Sequence, residues 1–105
     1  MAARKHSAAS IEIGRRIAQL RTRANVSART LAHCADMDLT NFQRIERGEG
    51  NPTISTLVQI ATALEVDVSE LVREIGPEQL QNGRAPYGYS EHEPRRRHRR
   101  DDGIL

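Results

Sequence analysis

Arginine, a side chain suited to binding phosphate or the edge of a base, is concentrated in the first half of this sequence. Residues 11–75 hold eight arginines, seven of them between residues 15 and 47. The same range holds nine acidic residues, five of them between residues 49 and 74, which gives a net charge of −1. A guanidinium group is always charged and can bind a phosphate or both O6 and N7 of guanine. We therefore expect a nucleic-acid-binding surface in the first half and a different role for the second half.

Catalytic and metal-binding chemistry is not predicted. His33 and Cys34 are neighbours on a predicted helix, where adjacent side chains diverge by about 100°, and no second pair of ligands is near them in sequence. No Ser/His/Asp order, phosphate-cradling glycine loop or paired carboxylate occurs in a setting that would form a pocket. We therefore predict a protein that is not an enzyme and needs no metal or cofactor, and we expect Cys34 to be packed rather than redox-active.

The composition indicates one small domain with tails. The chain has 105 residues, of which 37% are hydrophobic and 3% aromatic, so the core must be small and aliphatic. A domain of this size is only marginally stable alone, and a partner subunit would stabilise it. A single cysteine excludes an internal disulfide and fits a reducing cytosol. With no bilayer-length apolar run and no signal-peptide pattern, the sequence predicts a cytoplasmic protein that does not enter a membrane.

Five short helices are predicted to position the arginines, because apolar residues recur at helical spacing and no segment alternates with a period of two. Ser10 is a suitable N-cap for the first helix, which is expected to end near residue 24. The fourth helix is expected to begin at Thr53 or Ser55. The fifth is expected to cover residues 68–75. The fold class is therefore predicted to be all-α.

The second and third predicted helices lie only a few residues apart. Ser27 is a suitable N-cap for the second and Asp38 for the third, where a carboxylate also complements the positive end of the helix dipole. Asn25 and Asp36 stand where left-handed backbone is expected at helix ends. In the third helix we expect two residues, Phe42 and Ile45, to face the core. The residues left on its outer face are then Leu39, Thr40, Gln43, Arg44 and Arg47.

Three regions are predicted along the chain. Residues 1–10 are expected to form a flexible N-terminal arm, residues 11–76 the folded domain, and residues 77–105 a mostly disordered charged tail. The tail contains a cationic run, residues 94–100, that could either attract nucleic acid without sequence preference or simply aid solubility.

Residues 13–72 resemble the helix-turn-helix domain of lambda-type phage repressors and Cro, the XRE-like group of bacterial regulators. The motifs that carry the resemblance are Ile45-Glu46-Arg47-Gly48, Asn51-Pro52-Thr53 and the downstream helix with Thr56-Leu57, Ile60-Ala61 and Ala63-Leu64. The resemblance implies a compact five-helix lambda-repressor-like domain that binds double-stranded operator DNA as a symmetric dimer. Asn25, Asp36 and Glu65 replace the usual glycines of the family.

Site residues follow from the resemblance position by position. It implies that Arg21 and Glu46 form an ion pair between the first helix and the end of the third. Ala28 stands where the family commonly has a glutamine that contacts a phosphate, so that contact is lost or Arg29 replaces it. The implied base-contacting residues are Leu39, Thr40, Gln43 and Arg44; Leu39 would meet a thymine methyl group or fold back onto the core.

Two further surfaces are expected. Phosphate contacts are predicted for basic and polar residues near the reading helix and on the first helix. The fifth helix has more apolar residues than its own domain needs, which predicts a twofold dimer interface. The expected phosphate-contacting residues are Arg15, Arg16, Ser27, Arg29, Asn41 and Arg47, and the expected interface residues are Val66, Val68, Val72 and Ile75.

The predicted function is sequence-specific DNA binding by a transcriptional regulator, a repressor or autoregulator with its third helix in the major groove of a palindromic operator. The alternative is an antitoxin or other protein-interaction module that uses the domain only for autoregulation, with a protein partner bound through the C-terminal tail. Residues 82–103 offer only Tyr87 and Tyr89 as apolar anchors, which argues against it. A third interpretation, a domain that kept the fold but lost DNA binding, is supported by Ala28 and by the net acidic second half.

Overall fold

The computed structural model describes residues 7–80, which form a bundle of five α-helices. No β-strand occurs among these residues, so the predicted all-α class is confirmed. The predicted regions within residues 1–6 and 81–105, including the cationic run of the tail, lie outside the described residues. The helices are α1 (Ala8–Arg23), α2 (Ala28–Cys34), α3 (Leu39–Glu46), α4 (Ile54–Leu64) and α5 (Ser69–Val72), followed by a short 3-10 helix (Pro77–Gln79).

Each α-helix contributes one large, fully buried side chain to a single hydrophobic core. These are Ile17, Leu31, Phe42, Ile60 and Leu71, all with at most 2% of their surface exposed. Burying a side chain of this size contributes about 1.5–3 kcal/mol relative to leaving it exposed. α1 packs against α3, α4 and α5, and α2 packs against α3 and α4. The five short helices are therefore held together by one shared core.

Gly14 allows α1 and α3 to touch backbone to backbone. A Cβ atom at this position would lie 2.6 Å from the carbonyl oxygen of Glu46, closer than real Cβ contacts come. Any larger residue at position 14 would push the two helices apart. The orientation of α3 is therefore set by direct contact with α1, a constraint that the sequence pattern did not reveal.

Hydroxyl and carboxylate side chains cap four of the helices. Ser7, Ser27, Asp38 and Thr53 each accept a hydrogen bond from the backbone N–H three residues later, at 3.0–3.2 Å. The caps Ser27 and Asp38 were predicted, and Thr53 is one of the two starts expected for the fourth helix, but the prediction of Ser10 as the first cap is wrong. Ser10 lies inside α1, where its Oγ donates to the carbonyl of Gly50 at 3.2 Å. The helix thus extends into the predicted N-terminal arm.

Left-handed backbone occurs where the sequence predicted it. Asn25, Asp36 and Glu65 have φ angles of 61°, 59° and 63° and end α1, α2 and α4. Left-handed backbone is less strained at short polar residues such as Asn and Asp. At Glu65 this conformation costs about 1 kcal/mol of stability. A fourth left-handed residue, Glu74 at 61°, was not predicted.

The fifth helix is shorter than predicted. It stops at Val72, where residue 73 turns to extended backbone with ψ 145°. Nη1 of Arg16 donates to the carbonyl oxygens of Leu71 and Arg73, at 3.3 and 2.9 Å. A longer helix would need these carbonyls for the N–H groups of residues 75 and 77, and Pro77 has no N–H to give. Arg16 therefore takes the acceptors that would have continued α5.

Candidate nucleic-acid interface

The turn between α2 and α3 is fixed on both sides. The backbone N–H groups of Asp36 and Met37 donate to the carbonyls of His33 and Ala32, at 3.0 and 2.9 Å, which closes the end of α2. Nε2 of Gln59 on α4 donates to the carbonyl of Ala35 at 2.8 Å. These bonds join the turn to α2 and to α4, and Asp38 caps α3 immediately after it.

The outer face of α3 is polar and accessible. Phe42 and Ile45 are buried as predicted. Leu39 is half-buried and packs against the core, while its contact with a thymine methyl group stays a prediction. The exposed residues of this face are Thr40, Asn41, Gln43, Arg44 and Arg47.

A shallow polar groove of about 300 Å³ runs beside this face, between α3 and the start of α4. Sequence reasoning missed this part of the site. The signal was present, because Thr53 is the N-cap of α4, and a helix N-terminus favours negative charge. The groove is lined by Asn41, Arg44, Ile45, Glu49, Gly50, Asn51, Pro52, Thr53 and Thr56.

Glu49 contacts both arginines of this face. Its carboxylate accepts hydrogen bonds from Nε and Nη2 of Arg47 at 3.0 and 3.3 Å. Nε of Arg44 lies 3.8 Å from Oε1 of Glu49. The hydrogen bond that Arg47 donates to Glu49, followed by the charge of that carboxylate, raises the pKa of Arg47 above its ordinary value. Each of the two arginines therefore has an acidic neighbour on the same face.

The expected phosphate-contacting residues divide between two places. Ser27 and Arg29 lie exposed at the start of α2, while Ala28 between them is half-buried against the core. Arg15 and Arg16 are elsewhere, in a groove of about 280 Å³ between α1 and α5 that shares no lining residue with the groove beside α3. The structure therefore does not bring these two residues together with the face of α3.

Arg15 and Arg16 also have acceptors of their own. Nε and Nη2 of Arg15 donate to Glu12 at 3.1 and 2.6 Å, and Nε of Arg16 donates to the same carboxylate at 2.9 Å. These hydrogen bonds lower the pKa of Glu12 from 4.5 to about 2. Arg16 is further held by the end of α5, with only 18% of its side chain exposed. A phosphate would have to displace these partners.

Arg21 and Glu46 form an ion pair between α1 and the end of α3. Nε and Nη2 of Arg21 donate to the two carboxylate oxygens at 2.7 and 3.2 Å, and Nη1 donates to the carbonyl of Val26 at 2.9 Å. The hydrogen bond with Glu46 raises the pKa of Arg21, against a smaller opposing effect of burial. One guanidinium therefore joins the first helix, the turn before α2 and the end of α3.

The chain matches the model of the "Helix-turn-helix domain" family over residues 12–73. It is 38% identical over 61 residues to the cryptic phage CTXphi transcriptional repressor RstR of Vibrio cholerae serotype O1, a match that covers 58% of this chain and 54% of the repressor. The chain thus spans about half the length of that relative. It belongs to the XRE-like helix-turn-helix family.

Solved structures of helix-turn-helix proteins are similar to this domain. The restriction-modification controller protein C.AhdI of Aeromonas hydrophila is 32% identical with a TM-score of 0.58, covering 59% of this chain and 94% of that one. An HTH_3 family transcriptional regulator of Vibrio cholerae is 32% identical with a TM-score of 0.57, covering 59% of this chain and 35% of that one. The resemblance noted from the sequence is confirmed.

The expected interface residues of the helix-turn-helix domain differ in exposure. Val66 and Val68 are half-buried and pack against their own core, Ile75 is half-buried, and Val72 is 37% exposed. Sequence reasoning missed a more exposed apolar pair on α4, Ile54 and Val58, whose spacing of four places them on one helix face.

Three further features concern metal, redox and membrane chemistry. Within residues 7–80, no three His, Cys, Asp or Glu side chains are grouped so that they could hold a metal ion.

Cys34 is exposed, so the expectation that it is packed is wrong. Leu31, Ala32 and Ala35 occupy the inward face of α2 and turn Cys34 outward. None of the described helices is both long and apolar enough to cross a membrane.

Proposed function

We propose that this protein is a sequence-specific DNA-binding transcriptional regulator that acts as a repressor or autoregulator in the cytoplasm. The observation that carries the proposal is the exposed polar face of α3, held on a rigid turn and fixed to α1 by the Arg21–Glu46 ion pair. A helix presented in this way fits the DNA major groove. The regulators and repressor to which the chain is similar support the same function. It binds rather than catalyses.

Base contacts are assigned to the outer face of α3. Arg44 has 52% of its side chain exposed and can bond O6 and N7 of guanine together. Thr40 and Gln43 are exposed beside it and can hydrogen-bond to base edges. Leu39 packs against the core, so it contributes mainly by fixing the start of α3 rather than through a thymine contact.

Phosphate contacts are assigned to both sides of α3. Ser27 and Arg29 lie on the side of α2, and Asn41 and Arg47 lie on α3 itself. The N-terminus of α4, capped by Thr53, adds backbone N–H donors to the groove beside α3. These contacts would position the domain, whereas α3 would read the sequence.

The operator is proposed to be a palindrome bound by a homodimer. Val72 is the most exposed apolar residue of α5, and Leu80, just beyond the 3-10 helix, is equally exposed at 37%. A twofold contact there would place two α3 helices on half-sites about one helical turn apart. Sedimentation of the protein at tens of micromolar tests this arrangement, and a monomer at that concentration would contradict it.

The function is tested with a fluorescent duplex from the region immediately upstream of the protein's own coding sequence. The protein is titrated at two salt concentrations in the presence of a shuffled competitor of equal length. Tight binding that resists the competitor supports a sequence-specific regulator. Weak binding that is equal on both sequences and is abolished by salt contradicts it and directs the search to a protein partner, as in the antitoxin interpretation.

A further inference from the structure

One carboxylate lies between the two arginines on the outer face of α3. Glu49 accepts two hydrogen bonds from Arg47 and lies 3.8 Å from Nε of Arg44. We propose that Glu49 is a specificity residue: its charge weakens the attraction of α3 for phosphate more than it weakens the contact of Arg44 with a base edge. This inference rests on the proposed function, because it concerns how the same face distinguishes one DNA sequence from another.

The backbone holds Glu49 in this position. After α3, Gly48 takes a left-handed φ of 82°, and its N–H donates to the carbonyl of Ile45 at 2.9 Å. The N–H of Glu49 then donates to the carbonyl of Arg44, also at 2.9 Å. This pair of bonds is the Schellman arrangement that ends many helices. The carboxylate is therefore anchored to the same turn of α3 that carries the arginines, and it accompanies them to any DNA surface.

The charge of Glu49 acts differently on the two kinds of DNA contact. A phosphate oxygen that approaches Arg47 is an anion and must compete with the carboxylate that already accepts from Nε and Nη2. The edge of guanine is neutral, so the carboxylate does not repel it in the same way. The ion pair to Arg44 is made through Nε, and the two terminal nitrogens can still bond O6 and N7 together. Nonspecific binding, which consists of phosphate contacts, should therefore be weakened most.

The test uses Glu49→Gln, which keeps the shape and the backbone bonds but removes the charge. The probes are a duplex that the wild-type protein enriches from a random-sequence pool and a shuffled duplex of the same composition. Affinity for the shuffled duplex should rise about three- to tenfold. The two arginines lose their exposed ion pairs with Glu49, and the carboxylate no longer repels phosphate. Affinity for the enriched duplex should rise less than about twofold, so the ratio of the two affinities falls. On shuffled DNA, the plot of log affinity against log salt concentration should become steeper, by up to about the slope that one additional phosphate contact gives.

Glu70→Gln is the matched control. Glu70 lies 3.8 Å from Nε of Arg73 on the α5 side, so the variant makes the same change in net charge and loses one ion pair, as long as that between Glu49 and Arg44. It should leave the ratio of affinities unchanged. A fall in the ratio equal to that of Glu49→Gln would overturn the inference, since net charge alone would explain it. An unchanged or higher ratio in Glu49→Gln would also overturn it.

The experiment separates the two levels of the argument. A wild-type protein that enriches no sequence from the pool contradicts the proposed function, and the inference falls with it. A wild-type protein that enriches a sequence, together with a Glu49→Gln variant of unchanged discrimination, contradicts the inference alone. Thermal unfolding of all three proteins shows that each is folded under the binding conditions.

Discussion

Arginines on α1 and on α3 have the same chemistry but different surroundings. Arg16 and Arg21 of α1 keep 18% and 21% of their side chains exposed and bond to backbone carbonyls as well as to carboxylates. Arg44 and Arg47 of α3 keep 52% and 55% exposed, and their ion pairs are to the single side chain of Glu49. An arginine becomes structural here where a helix end or a turn supplies carbonyl acceptors. It stays available for a ligand where its partner is another exposed side chain.

Removing Arg21 should give the largest loss of stability. Arg21→Ala leaves the Glu46 carboxylate, which is 13% exposed, without its guanidinium partner, and we expect the free energy of unfolding to fall by about 2–3 kcal/mol. Urea denaturation measures this change. The double variant Arg21→Ala/Glu46→Gln should recover part of the loss, because the unpaired charge is gone. If the single variant is as stable as the wild type, Arg21 does not belong with the structural arginines.

Removing Arg44 should change DNA binding and leave stability alone. Arg44→Ala should weaken binding to a preferred duplex by about 1–3 kcal/mol, while the free energy of unfolding stays within about 0.5 kcal/mol of the wild type. Fluorescence titration and urea denaturation measure the two quantities. Arg23→Ala is the matched control, an exposed arginine that lines the groove between α1 and α5. Equal losses of binding in both variants would mean that α3 contributes only general positive charge.

Removing Arg16 should loosen the end of α5. Arg16→Ala frees the carbonyls of Leu71 and Arg73, so we expect a loss of about 1–2 kcal/mol and faster hydrogen exchange in residues 71–76. The neighbouring variant Arg15→Ala removes an exposed guanidinium that bonds to Glu12, and it should change stability less. If residues 71–76 are equally protected from hydrogen exchange in both variants, Arg16 does not hold the end of α5.

The acid response of Glu12 should give the smallest effect. Bonds from Arg15 and Arg16 lower its pKa from 4.5 to about 2, so the ion pairs stabilise the fold fully above about pH 4.5 and are lost as the pH falls toward 2. In Glu12→Gln the free energy of unfolding should depend less on pH across this window, as measured by urea denaturation at several pH values. Glu78→Gln, at an exposed residue without an ion pair inside residues 7–80, should keep the wild-type dependence.

Local chemistry predicted much of this fold. The caps Ser27 and Asp38 and the left-handed Asn25 and Asp36 were predicted correctly, because each depends on a residue and its immediate neighbours. The inward face of α3, with Phe42 and Ile45, was also predicted, since apolar periodicity reports burial directly. The Arg21–Glu46 contact came from family resemblance rather than from spacing.

Long-range contacts account for what the sequence did not predict. The end of α5 depends on Arg16, which is 55 residues before Leu71 in the chain. The close approach at Gly14 depends on the carbonyls of α3. Glu49 was counted only as part of an acidic second half, whereas the exit from α3 places it beside Arg44 and Arg47. Base, phosphate and dimer contacts of individual residues stay predictions.

Through Gly14 and Arg16, α1 contacts both α3 and the end of α5. One touches the backbone of α3, and the other, half a helical turn along, holds the carbonyls that end α5. In the proposed dimer, a subunit docked through α5 would be connected to α3 through these two contacts of α1. In such a pair, substitutions on the α5 edge would shift the spacing between half-sites, and substitutions on α3 would change which bases are read. Spacing and sequence preference could then evolve separately within one small domain.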